Sequence, residues 1–182
     1  MTVEIIPATL RDLTYIAANM RPEDWREIEC QFPEGITSFE IAALAGQFGE
    51  AWVATSSSQP VAAFGAAPLT YNVLSVWAWG TKGMRRAIPA IGRFLRDERA
   101  PDWIASGVTR LEARSIAGHH SAHRWMTSLG ATSQPCPEWG RRGEDFILFS
   151  WTRAKDWDQT NVLFLDAQSP QDQHRSATDA AA

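Results

Sequence analysis

Cysteine is scarce in this chain: Cys30 and Cys136 are the only two in 182 residues. Two thiols cannot build a disulfide framework or a zinc ribbon, and they are expected as reduced thiols of a cytosolic protein. Long apolar runs are missing too. No stretch approaches the length of a membrane span, so none is expected. The opening residues, MTVEIIPATL, have neither a basic start nor an extended apolar segment, which argues against a signal peptide. Positive charge is not in excess: the formal net charge of -4 gives no electrostatic reason to expect direct nucleic-acid binding. No internal repeat is visible.

What is present is ordinary for a globular protein, with 45% hydrophobic and 21% charged residues. The length suits one domain with a proper core and a tail. The composition shifts after Trp151, which sets a domain at 1–152 and an extended C-terminal tail at 153–182. The tail holds three basic residues and five aspartates, a net of -2, and its end has no periodicity. One apolar island, Val162 to Leu165, reads equally as a piece packing on its own domain or as a docking peptide for another chain. Nine tryptophans are expected mostly as buried anchors, some as partner contacts.

Local signals order the elements. Val3 to Pro7 reads as a strand, and Thr9 with Asp12 three residues on opens a helix with the apolar stripe Leu13, Ile16, Ala17 and Met20. Pro22-Glu23-Asp24 opens a second helix, since proline and acids suit a first turn. Ser38 caps a third, Phe39 to Phe48. Short apolar runs then follow, Ala51 to Ala54 and Val61 to Ala66, separated by Ser56-Ser57-Ser58-Gln59-Pro60 as in a hairpin. Val73 to Trp79 is a strand, Thr81 to Met84 a glycine-bearing loop, and a helix runs from about Arg86 to Arg99. Leu111 to Arg114 is another strand, the HHSAHRWM stretch a helix ending at Gly130, and Asp145 to Trp151 a last strand.

His119 and His123 stand four apart and share a helix face, as zinc ligands do. A metalloprotease helix needs glutamate after the first histidine, where this chain has His120. A third ligand would have to be Cys136 or an unplaced carboxylate, and His174 lies in the tail. No metal is therefore expected, and the histidines are read as exposed or capping residues. His120, as an imidazole, suits the work of a general base but has no identified partner. Cys136, between Pro135 and Pro137, likewise lacks a located histidine.

Two helices after the first strand, a hairpin, then strand-loop-helix-strand-helix-strand is an α/β order. It resembles the GNAT acetyltransferase fold over roughly residues 3 to 151. The resemblance implies a mixed, mostly antiparallel sheet flanked by helices. It implies acyl-CoA pyrophosphate held by the loop after Val73 to Trp79, since free amides and a helix N-terminus favour an anion, and a slot for pantetheine where the next strand splays away. In that loop the candidates are Lys82, Gly83, Arg85 and Arg86. The usual Arg/Gln-x-x-Gly-x-Gly/Ala run is degenerate here, with Met84 and arginines bringing bulk, so those cations are either pyrophosphate partners or solvated charges. The late helix matches an Asn-x-x-Ala-x-x-x-Tyr pattern only at Ala122: His119 stands for the asparagine and Met126 for the tyrosine, and a thioether has no proton to donate. Glu50 and Glu112 occupy strand positions where such enzymes often place a base; both read equally as solvent-face charges.

The chain also resembles a GNAT-like family of tailed phages that includes the internal virion protein A of podoviruses. The resemblance lies in Ile5-Ile6-Pro7-Ala8-Thr9, Arg21-Pro22-Glu23-Asp24, Phe64-Gly65-Ala66-Ala67-Pro68-Leu69, Trp77-Ala78-Trp79-Gly80-Thr81 and Ser121-Ala122-His123-Arg124-Trp125. It implies a non-enzymatic structural or assembly protein with a degenerate acyl-CoA site and no cofactor. Such a protein would be made in the host cytoplasm, sit in the virion, and have other virion proteins or its own copies as partners. The alternative expectation is an active N-acetyltransferase using acetyl-CoA; a third is a module that binds CoA without transfer.

Overall fold

The computed structural model describes residues 2–152, so the tail and its Val162 to Leu165 island lie outside the described residues. Seven strands form one sheet in the order β1-β2-β3-β4-β5-β7-β6. The strands are β1 Val3–Pro7, β2 Glu50–Ser56, β3 Gln59–Thr70, β4 Val73–Gly80, β5 Arg110–Ile116, β6 Thr132–Cys136 and β7 Phe146–Thr152. The helices are α1 Leu10–Ala18, α2 Pro22–Gln31, α3 Ser38–Gln47, α4 Ile88–Phe94, α5 Ala100–Ala105 and α6 His120–Ser128. Every strand pair is antiparallel except β4 with β5. This is the mixed, mostly antiparallel sheet flanked by helices that the element order implied.

Local chemistry explains most starts and stops. The Thr9 hydroxyl accepts from the Asp12 N–H at 3.2 Å and starts α1. Thr37, one residue before the expected Ser38, caps α3 in a reciprocal box: its hydroxyl accepts from the Glu40 N–H, and the Glu40 carboxylate accepts from the Thr37 N–H. The β2–β3 turn puts Ser57 and Ser58 at φ 51° and 61°, the mirror-type turn that matches strand twist. Gly130, at φ 83°, ends α6, and the Ala131 N–H reaches back to the Met126 carbonyl at 3.1 Å.

Three expectations are corrected. β3 does not stop at Ala66 but runs through Pro68 to Thr70, with a register shift between Pro68 and Thr70 that absorbs the missing donor. The helix after the loop does not end at Arg99. It widens to a π-turn over Leu95–Arg99 and continues as α5. Pro101 is the physical cause: its ring would crowd the carbonyl four residues back, and the wider turn relieves that clash. β6 was not expected at all; it is a sheet edge of polar residues with Pro135 inside it.

The core lies on both faces of the sheet. On one face, Leu13, Ile16 and Ala17 of α1 and Ile41 and Ala42 of α3 pack on Val53, Ala63 and Trp79. On the other, Met84, Ala87 and Ile91 pack on Ala54, Ala62 and Phe64, while Trp103 of α5 and Met126 of α6 pack on Leu111, Ala113, Phe149 and Trp151. Among the described residues tryptophan is mostly buried or half-buried, as expected, with Trp139 exposed.

Candidate active site

β4 and β5 run side by side for only three residue pairs, Val73–Arg110, Leu74–Leu111 and Ser75–Glu112. Both strands continue, β4 to Gly80 and β5 to Ile116, without pairing to each other. The result is a slot whose vertex lies at Ser75 and Glu112. Its walls are strand edges, and such edges accept an extended, amide-bearing chain as they would accept another strand.

α2 braces the wide end of the slot. The Asp24 carboxylate accepts from the Gly80 N–H at 2.9 Å, and the Arg21 N–H donates to the Gly80 carbonyl at 2.9 Å, so the end of β4 is held. The Arg21 guanidinium grips Asp24 twice, at 2.7 and 3.0 Å. One oxygen of Glu27, Oε2, accepts from the Ser115 hydroxyl at 2.6 Å and the Ile116 N–H at 3.0 Å, so the end of β5 is held too. Bonds that a continuous sheet would have made between the strands are made to a helix instead.

His119 joins the two carboxylates. It is 7% exposed, with Nδ1 3.1 Å from Glu27 Oε2 and Nε2 3.4 Å from Asp24 Oδ1, and among the described residues Nε2 has no hydrogen-bond partner. Burial pushes the Asp24 carboxyl above its ordinary range against the opposing pull of Arg21 and the Gly80 N–H. Beside this cluster opens a cleft of about 480 Å³, lined by Pro22, Glu23 and Arg26 of α2, by Ile116 to His119, and by Glu144 and Asp145.

The sequence-derived candidates do not converge on one place. Lys82, Gly83, Arg85 and Arg86 are brought together on the tight turn after β4, where the Gly83 N–H donates to the Thr81 hydroxyl at 3.1 Å and the three cations are exposed. Met84 plugs the turn from below, and a Cβ on Gly80 would sit 2.8 Å from that side chain, so the turn can close only over glycine. Glu112 lies at the slot's vertex, bonded to Arg110 at 2.6 Å and Arg114 at 3.3 Å. His120 is exposed on the first turn of α6, its ring 6.1 Å from that of His123. Glu50 is taken by Arg99 at 2.8 Å and the Trp103 indole at 3.1 Å. Met126 is buried among Trp103, Leu111 and Phe149.

The His119–Asp24–Glu27 cluster was missed, and so was the register of the loop before α4, for which one local signal was available. Counted back from the start of α4, the run that the resemblance assigns to phosphate aligns with Arg85 to Ala90, with arginine first, Ile88 at the glycine and Ala90 last. Pro89 was the marker, because proline favours a helix's first turn. The slot fits the pantetheine arm of acyl-CoA. The turn fits pyrophosphate through exposed cations and the Ile88 and Ala90 amides, with Pro89 contributing no donor.

No family model matches the chain, and no curated protein matches it by sequence. Solved structures match its shape. A GNAT superfamily phosphinothricin acetyltransferase from Sinorhizobium meliloti, in complex with acetyl-CoA, is 17% identical with a TM-score of 0.64, covering 84% of this chain and 89% of that one. A ribosomal-protein-alanine N-acetyltransferase from Brucella melitensis is 19% identical with a TM-score of 0.61, covering 82% and 99%. The ribosomal-protein-S18-alanine N-acetyltransferase from Escherichia coli is 16% identical with a TM-score of 0.60, covering 83% and 94%. The chain has the GNAT acetyltransferase fold.

Proposed function

We propose that this GNAT-fold chain is an acyl-CoA N-acyltransferase that moves an acetyl group from acetyl-CoA to an amine. The observation that carries this reading is the parting of β4 and β5 after the Ser75–Glu112 pair. Acetyl-CoA supplies an activated thioester. Its pantetheine would lie along the free edge of β4, and Lys82, Arg85 and Arg86 would face its phosphates. The structural neighbour in complex with acetyl-CoA supports the choice of donor. This reading takes precedence over the virion-component expectation, for which the structural neighbours give no support. Binding of acetyl-CoA is expected to raise the melting temperature, by linkage worth about 2.7 kcal/mol at a hundredfold excess over Kd. Lys82→Glu with Arg85→Glu should weaken that shift. No shift at millimolar acetyl-CoA, and no thiol release with a panel of amines, would overturn the proposal.

A second reading is a non-enzymatic phage virion component. Its non-catalytic half is supported by Met126, a core residue without a proton to lend where a tyrosine hydroxyl would stand. Stoichiometric presence in purified particles, together with no acetyl-CoA binding, is the outcome that would favour it.

A further inference from the structure

With the phosphates at the turn after β4 and pantetheine between β4 and β5, the thioester falls at the vertex of the slot. An acceptor can meet it there only over one of the two faces of the sheet. One face is closed: Leu74 and Leu111 point to it and are packed in the core with Trp103 and Phe149. The other face is polar. Side chains alternate along a strand, so Ser75 and Trp77 of β4 share this face with Arg110, Glu112 and Arg114 of β5. All five are half-buried. If pairing continued past Ser75–Glu112, Arg114 would stand opposite Trp77; because the strands part, the two flank the open slot from its two walls.

Arg114 is held in place but not used up. Its guanidinium lies over the ring of Trp139 at 4.4 Å, and its Nη2 donates to Glu112 Oε2 at 3.3 Å, so it leans back toward the vertex. A guanidinium carries five N–H donors, and this is the one hydrogen bond its side chain makes among the described residues. Nε is buried without a partner, whereas Nη1 is not sealed from solvent. By contrast Arg21 donates twice to Asp24, and Arg99 donates to both Glu50 and Asp102. The other oxygen of Glu112 accepts from Arg110 at 2.6 Å. One carboxylate thus answers two guanidiniums, and these three side chains keep a net positive charge beside the vertex. A half-buried guanidinium short of acceptors is costly, and an incoming carboxylate relieves that cost with a charge-assisted bond. Trp139 is itself exposed, so a molecule seated on Arg114 also covers an apolar ring.

We propose that Arg114, carried on Trp139 and steadied by Glu112, selects the acceptor, and that the acceptor is an α-amino acid whose carboxylate binds the guanidinium while its amine stands at the vertex. The inference rests on the acyltransferase reading and adds the chemical class of the second substrate. The spacing sets the size of the ligand. Arg114 lies two residues past Glu112, about 6.6 Å along the strand, and leans back toward it. An amine and a carboxylate on the same carbon, followed by one hydrogen bond of about 2.8 Å, span that gap. The amine nitrogen exchanges one hydrogen for the acetyl group and the CoA sulfur takes that hydrogen, so the products are the N-acetyl amino acid and the CoA thiol.

The test uses the full chain with acetyl-CoA and two acceptors that share one apolar side chain, L-leucine and L-leucinamide. The amide lacks the negative charge and keeps the α-amine. Calorimetry first measures acetyl-CoA binding to wild type, and melting curves establish that Arg114→Gln and Arg114→Lys are folded. The readout is the ratio of kcat/KM for leucine to that for leucinamide within each protein, compared between proteins, so that the different basicity of the two amines cancels. Arg114→Gln should lower this ratio about 10- to 100-fold, mainly through a higher KM for leucine, the effect of losing a hydrogen bond to a charged group. Arg114→Lys keeps the charge without the planar fork and should recover part of the loss. An unchanged ratio in Arg114→Gln overturns the assignment of Arg114. No transfer to leucine by wild type that binds acetyl-CoA overturns the acceptor class and leaves the acyltransferase reading standing. Absence of acetyl-CoA binding in wild type overturns that reading and this inference with it.

Discussion

Asp24 shows how much one side chain can hold. It is 4% exposed, grips Arg21 twice and accepts the Gly80 N–H. Asp24→Ala would leave a guanidinium that is 13% exposed without its partner and a buried amide unpaired, a loss of about 3–5 kcal/mol in urea denaturation. Asp24→Asn keeps an acceptor for Gly80 and should cost clearly less. Protonation adds a second expectation. Burial holds His123 below its ordinary 6.5, so the fold prefers the neutral ring. Its contribution is complete above 6.5 and is lost as pH falls below it. Asp24 has the opposite sign: a carboxyl raised above 3.8 favours the fold more in acid, and that contribution is lost as pH climbs from 3.8 through the folded value. Between about pH 7.5 and 5.5 the histidine begins to titrate, so unfolding free energy should decline on acidification and His123→Gln should flatten the slope. An unchanged slope would show that other groups set it. None of this cluster could be read locally. Glu27 and His119 are 92 positions apart, and only the meeting of α2 with the end of β5 brings them together.

Elements with strong local chemistry were legible: the Thr9 cap, proline at the start of α2, and the glycine stop of α6 all lie where their residues demand. β6 was not legible, because TSQPC has no apolar alternation and owes its strand form to pairing with β7. The continuation into α5 was hidden by Pro101, which locally reads as a stop. Two glycines give opposite expectations at this scale. Gly130→Ala puts a side chain on a backbone at φ 83° and should destabilise by about 1 kcal/mol. Gly92→Ala lies inside α4 with its nearest neighbour, Leu129, at an ordinary 3.8 Å, and should stabilise by about 0.5–1 kcal/mol. Melting curves of the two variants check both signs. Thr37→Ala removes a reciprocal cap and should cost about 1 kcal/mol.

At the scale of the molecule, the order of strands and helices already pointed to the fold, because a hairpin followed by a strand-helix-strand crossover leaves few arrangements. The slot was legible only as an implication of that fold, and the cleft beside it not at all. All seven strands and six helices described lie within residues 2–152. A chain ending at Thr152 is therefore expected to keep a single cooperative transition, checked by calorimetry; loss of cooperativity would assign the tail to the core. The brace supplied by α2 has a wider consequence. One ten-residue helix at once braces the ends of β4 and β5 and lines the cleft beside them. A change in this helix therefore alters the strand ends and the cleft wall together. Glu23 and Arg26, next in sequence to Asp24 and Glu27, line the cleft, so its wall is built beside the very residues that hold the strands, and the two are most readily remade by exchanging the helix as a unit.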